Sequence, residues 1–383
     1  MERFTRRHTM TALFLSLLAG GALATGVQAA SLRWSDAVQL RDHQYVYLTD
    51  AAYSGANVAI VWDEYRPAAL GVRTSSDGGR TFGPLFRVTA AGDGRVALCD
   101  NHAYVVYTHK SSSGEFALEM ASSRAGSGHY DVATVATSNV YRYDVDIACN
   151  SGRVFVSWYV QRAGGDFRLE LASALRSDLE FGAPTTLAVN SGEWPSGLRL
   201  AATDESAYAV YGMTDAGIYL KRWSVGPGPI YALNGHPSVE VATGSRSHGS
   251  SGPEIGVDGS TVAVAYNKCF GFKARVSHDR GKTWSAGEVI SYTGCHAIAD
   301  GGAGPSGVEV AGDTIALTWS AAAIGNFEAS YVSMSVNDFR SFTTEKLGNH
   351  RNDRVGFMGT AGEWKLADAF TRDDGFVRFR AEH

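Results

Sequence analysis

Apolar residues along the chain come in short paired runs, and a brief polar turn splits each pair. The pairs are VYLTDAAYSGANVAIVWDEY (46–65), RVALCDNHAYVVYTHK (95–110), DVDIACNSGRVFVSWYVQR (144–162), LRLAATDESAYAVYGM (198–213), PEIGVDGSTVAVAYNK (253–268), GVEVAGDTIALTWSAA (307–322) and RVGFMGTAGEWKLADAFTR (354–372). β-Branched and aromatic residues fill the runs, and Gly, Asp, Asn or Ser interrupts them, so each pair reads as strand, turn, strand. The second run always ends near an aromatic: Trp62, Tyr107, Trp158, Tyr211, Tyr266, Trp319 and Phe370. No long stretch carries a 3.6-residue apolar period, so no helix is expected.

Two more strands fit between one pair and the next, and the seven units recur about every 48 to 55 residues. Four strands at that period predict an all-β fold, a seven-bladed β-propeller with four-stranded blades. One blade alone leaves its apolar faces wet, whereas a ring of blades covers them. The last unit has only three strands. The run SLRWSDAVQL (31–40) resembles GRTFGPLFRV (79–88), the end of the first unit. Residues 31–40 are therefore expected to form the outer strand of blade 7 and close the ring, making 31–383 a single domain.

Residues 1–30 read as a secretory signal peptide. Arg3, Arg6 and Arg7 precede an apolar run from Thr11 to about Gly26, and Val27-Gln28-Ala29 has small residues for cleavage. The Arg6-Arg7 pair leaves twin-arginine and general export both open. The expected location is secreted or periplasmic, with no membrane span. Without the leader the chain holds 31 basic and 38 acidic residues, a net charge of −7. That balance argues against nucleic acid as a partner. Cys99, Cys149, Cys269 and Cys295 lack metal-knuckle spacing and are disulfide candidates in an oxidising compartment. Cys269 with Cys295 is one pairing; Cys99 and Cys149, at matching ends of first strands, are another. No cofactor is expected, and a structural metal ion is left open.

One motif occurs twice: SSDGGRTF (75–82) and SHDRGKTW (277–284) share Ser-x-Asp-x-Gly-x-Thr-aromatic, and SVNDFRSF (335–342) is a degraded copy. All fall where a third strand turns into a fourth. Ser and Asp side chains bond backbone amides within such a turn, and Gly admits a positive φ. Here the sequence resembles the Asp-box (BNR-repeat) propellers, whose best-known members are sialidases. The resemblance implies a structural role for the motif, away from the catalytic face. Sialidases bind a carboxylate with three arginines and use a Tyr/Glu pair with an acidic general acid. Tyr65-Arg66-Pro67 is the nearest match to their Phe/Tyr-Arg-Ile-Pro motif, and it lacks the Ile.

The opposite face collects chemistry. Six of the ten histidines outside the leader fall there (His43, His109, His236, His248, His296, His350), with Lys110, Tyr141, Arg162 and Asp353. Arg66, Arg142, Trp194, Arg246, Lys268, His350 and Arg351 are the candidate substrate-binding residues, a mixture suited to anionic or sugar ligands. Twelve residues before the blade aromatic, first strands carry Asp50, Asp146, Arg199 and Glu254, and Glu309 holds a similar place if its turn is two residues shorter. Charges on tightly packed inner strands are paired or functional. With Tyr143, His248 and His296, those four are the candidate catalytic residues at a channel mouth; an ion-pair ring is the structural alternative. The expected ligand is an anionic carbohydrate at one central axial site of a monomer. Three readings stay open: sialidase-like hydrolysis, β-elimination by a uronate lyase, and binding without turnover.

Overall fold

Each apolar run folds as a strand. The computed structural model describes residues 35–382, except for 42–45, 66–67, 111–113, 139–141, 162–165, 191–194, 214–216, 226–237, 244–251, 269–270, 292–303, 323–327, 349, 361–362 and 373–375. Seven four-stranded antiparallel sheets follow one another along the chain. Their first strands are Val46–Ser54, Ala91–Cys99, Arg142–Cys149, Pro195–Ala202, Glu254–Asp258, Gly304–Ala311 and His350–Thr360, in blades 1 to 7. Each first strand packs against the first strand of the next blade, and that of blade 7 against that of blade 1. The result is a closed ring, a seven-bladed β-propeller.

The second strands show why blades need neighbours. In Asn57–Tyr65, every residue from Val58 to Trp62 is fully buried, so both faces of the strand are covered. Apolar clusters accordingly bridge blades. Leu118 and Met120 of blade 2 pack with Val154, Val156 and Trp158 of blade 3. Tyr208 and Val210 of blade 4 pack with Val262 and Val264 of blade 5. The seven aromatics picked out by spacing are all buried. Under Trp62 the partner residue on strand three is Gly71, where a Cβ would sit 2.3 Å from the indole.

The ring closes between chain ends. Val38–Gln39 pairs with Val377–Ala381 as the fourth strand of blade 7, Val38 opposite Phe379. Backbone bonds from Ser35 to Ala381 (2.8 Å) and from Leu40 to Val377 (3.0 Å) extend the seam, and Leu40 is buried. The regular strand is thus shorter than the expected 31–40.

The repeated motif is a hydrogen-bonded turn. Asp279 accepts from the Thr283 amide (2.8 Å) and hydroxyl (2.6 Å), and Ser277 accepts from the Gly281 amide (2.8 Å). Asp77, Thr81, Ser75 and Gly79 repeat this in blade 1. Gly79 and Gly281 have φ of 78° and 79°. In the degraded copy Phe339 stands in the glycine's place at φ 61°, and Asn337 still accepts from the Ser341 amide at 3.0 Å. These turns lie on one face with the first hairpins. There Cys99 and Cys149 form a disulfide between the first strands of blades 2 and 3. Cys269 and Cys295 lie outside the described residues.

Candidate functional site

Six charged residues occupy one register on the inner strands. Asp50, Arg95, Asp146, Arg199, Glu254 and Arg354 lie opposite Val61, Val106, Ser157, Val210, Ala265 and Ala369, each just before its blade's aromatic. Blade 6 has Gly307 there, opposite Thr318. Glu309 comes two residues later, one pleat nearer the hairpin, and its two-residue turn is the same length as in blade 5. The expected shorter turn is absent, so Glu309 is not the register equivalent.

Around the ring the signs alternate: acid, base, acid, base, acid, glycine, base. Seven positions cannot alternate two signs without placing like charges side by side, and the glycine removes that clash. Arg199 Nε donates to Glu254 at 2.9 Å, and Arg354 Nε lies 3.6 Å from Asp50. The acids also bond the following blade. Asp50 accepts from the Val96 amide (2.9 Å) and Asp146 from the Leu200 amide (2.5 Å). In each case the amide belongs to the residue after the next blade's arginine. Three acids and three arginines share the register, and each of the two short contacts pairs an acid with an arginine.

Burial raises two carboxyls in this region. Asp146 is pushed up to about 7, with Asp50 adding to the rise and Arg199 and Arg95 opposing it. Glu309 is pushed up to about 8 by burial and by Asp50 and Glu254. Arg199 is held above its usual value because Glu254 and Asp146 outweigh its burial. In blade 1 Asp50 is the fifth residue of nine in its strand. The charges therefore sit mid-channel and knit blades together, instead of gathering at the channel mouth as the spacing alone suggested. Arg95 lies twelve residues before Tyr107, so the same count reaches it. Arg354 escapes the count because blade 7 has a longer first hairpin, sixteen residues separating it from Phe370.

The opposite end of the strands, away from the repeated turns, carries Arg142. It opens the first strand of blade 3 and is 7% exposed. Its guanidinium lies over the Trp158 ring, 5.7 Å from the centroid, and Nη2 donates to the Thr137 carbonyl at 3.1 Å. Nε and Nη1 have no hydrogen-bond partner among the described residues. Burial pulls Arg142 below the usual guanidinium value, with Glu170 pushing the other way. Glu170 is itself engaged, accepting from Trp158 Nε1 at 3.1 Å.

Tyr143 follows Arg142 on that strand, opposite Tyr159. Lys268 ends the second strand of blade 5, and His350 and Arg351 begin the first strand of blade 7, all at this same end. Arg66, Trp194, Arg246, His248 and His296 lie outside the described residues, as do His43, His236, Tyr141 and Arg162. No helix among the described residues is long and apolar enough to cross a membrane.

No family model and no curated protein matches the sequence. Solved structures do match it. The β-propeller domain of the Trilobed protease from Pyrococcus furiosus, described as having an open velcro topology, aligns with a TM-score of 0.51 and 8% identity. The alignment covers 88% of this chain and 96% of that one. The Hadza microbial sialidase Hz136 gives 0.48 and 8% identity over 82% and 73% of the two chains. Trypanosoma rangeli sialidase, in complex with 2,3-difluorosialic acid, gives 0.44 and 10% identity over 76% and 54%, so this chain spans about half of that one. At such identities the likeness concerns architecture. The chain is a seven-bladed β-propeller, similar in fold to the propeller domain of the Trilobed protease.

Proposed function

We propose that this chain is an exported glycan-binding propeller that holds an anionic carbohydrate on the face bearing Arg142, with turnover of that ligand decided by the test below. The observation that carries the reading is the Arg142 guanidinium: buried, stacked on Trp158, with two nitrogens unpaired among the described residues. Leaving buried N–H groups unbonded costs about 1–3 kcal/mol each. A carboxylate oxygen that accepts from either nitrogen relieves part of that cost. Tyr143, Lys268, His350 and Arg351 lie at this same end of the strands. The Cys99–Cys149 disulfide fits an oxidising compartment.

The test is calorimetric titration of the protein with sialyllactose and with a glucuronate-containing oligosaccharide, alongside Arg142→Ala. Binding of an anionic sugar weakened at least tenfold by the substitution supports the reading. No binding of either, or binding indifferent to Arg142, overturns it. Product analysis of the same mixtures reads turnover. Free sialic acid marks hydrolysis, and absorbance from an unsaturated uronate marks elimination; intact ligand after prolonged incubation marks binding alone.

A further inference from the structure

A separate cavity of about 330 Å³ opens on the same face between blades 1 and 2. Blade 1 contributes Asp63, Glu64 and Tyr65 from the end of its second strand; blade 2 contributes Asp93, Thr108 and Phe116. A bulge that most blades share places one of these residues. The pairing between the first two strands of blade 2 shifts register between Gly92 and Arg95, and Asp93 in that bulge has φ 57°. The same shift recurs in blades 1, 3, 4, 6 and 7, with Asp144 (φ 49°) and Gly197 (φ 64°) at the matching places, and in blade 2 it sets Asp93 beside the cavity.

Two carboxylates meet in the cavity. Burial together with the Asp93 charge pushes Asp63 up to about 6, with Arg95 opposing. The Oδ1 atom of Asp63 is buried and has no hydrogen-bond partner among the described residues. Asp93 accepts from the Thr108 hydroxyl at 3.4 Å, and the remaining charges are engaged as well. Glu64 is held by Arg41 (2.9 Å) and Arg87 (2.8 Å). Lys110 lies 5.4 Å from the centroid of the Phe116 ring. His109 is 3.6 Å from Glu119. An acceptor oxygen lined up in a cavity without a donor calls for a ligand that donates.

The rim is aromatic and exposed. Tyr65 is 63% exposed and leans edge-on against Tyr47, itself 39% exposed, with ring centroids 5.1 Å apart. Sugar rings combine a C–H face that packs on aromatic rings with hydroxyls that donate to carboxylates. An acidic sugar would bring a third negative charge to Asp63 and Asp93, which like-charge repulsion disfavours.

We propose that this cavity is a second saccharide subsite, accepting a hexose or hexosamine residue that carries no acid group: Asp63 and Asp93 take its hydroxyl or ammonium donors, and Tyr65 packs on its ring. The subsite does not depend on the role given to Arg142. Its residues and its ligand charge differ, so either reading stands if the other fails.

The test is calorimetric titration of the full protein with cellotriose and with the glucosamine trisaccharide chitotriose, at pH 7.5. Saturable binding of at least one is expected. Asp63→Asn and Tyr65→Ala should each weaken it at least tenfold, while Arg142→Ala leaves it unchanged. The exposed Tyr65 serves where Asp63→Asn disturbs folding, which circular dichroism reads. A preference for chitotriose identifies an ammonium donor, and equal binding identifies hydroxyl donors. Absence of saturable binding by both, or binding unchanged in Tyr65→Ala and Asp63→Asn, overturns the proposal.

Discussion

Arg199 Nε donates to Glu254 Oε2 at 2.9 Å, joining the inner strand of blade 4 to that of blade 5. The two side chains are 13% and 8% exposed, so removing either strands a charge in the seam. Breaking a buried pair on one side costs about 3–5 kcal/mol, whereas replacing both partners by apolar groups of similar size is often close to neutral. Arg199→Ala should therefore lose about that much unfolding free energy in denaturant titration. The double change Arg199→Met with Glu254→Leu should recover most of it.

The raised carboxyls predict a pH dependence with a definite sign. Asp146 and Glu309 bind protons more tightly folded than unfolded, at about 7 and about 8 against ordinary values of 3.8 and 4.5. For an acid raised by folding, the stabilising contribution is complete below the unfolded value and is lost as pH climbs to the folded one. Their joint effect is falling stability from about pH 4 to 8. Glu309→Gln cannot ionise and should flatten the upper part of that fall, between pH 7 and 8. Urea midpoints measured at pH 5, 7 and 8.5 give the comparison, and an unchanged slope in the variant would contradict the assignment.

The Cys99–Cys149 bridge spans 50 residues of sequence. Disulfides of this kind typically contribute about 2–4 kcal/mol by restricting the unfolded chain. Cys99→Ala with Cys149→Ala should lower stability by that amount, and added reductant should bring the parent protein to the same level. If reductant has no effect on the parent, the bridge does not form.

Ring closure rests on a few residues. Leu40 is 1% exposed, beside the strand that carries Phe379. Truncating a buried leucine costs about 2–5 kcal/mol. Leu40→Ala should destabilise the whole domain cooperatively. Hydrogen exchange should speed up first at Val377–Ala381 and then at its neighbours in blade 7.

The fold was readable because a propeller repeats its own grammar. Buried aromatics such as Trp62 and Trp158 mark one position per blade, and the turns at 75–82 and 277–284 mark another. The closing strand was readable from its likeness to residues 79–88. The charged register was only partly readable. Counting back from an aromatic works while hairpins keep one length. It reaches Arg95 but misses Arg354, where the hairpin lengthens, and it puts Glu309 a pleat too high. Arg142 stood out as a cation at a strand end. Its burial and its unpaired nitrogens depend on which blade packs over it, which no local pattern encodes. Asp63 was invisible for the same reason: on its strand it is an ordinary polar residue at the end of a buried run, and only the bulge in blade 2 brings Asp93 to it.

The most direct measurement is a crystal structure of the protein soaked with sialyllactose, collected beside an Arg142→Ala crystal treated identically. A sugar carboxylate oxygen is expected within hydrogen-bond distance of Nε or Nη1 of Arg142, with no ordered sugar there in the variant. A carboxylate bound elsewhere, or a guanidinium still bare at saturating ligand, would contradict it.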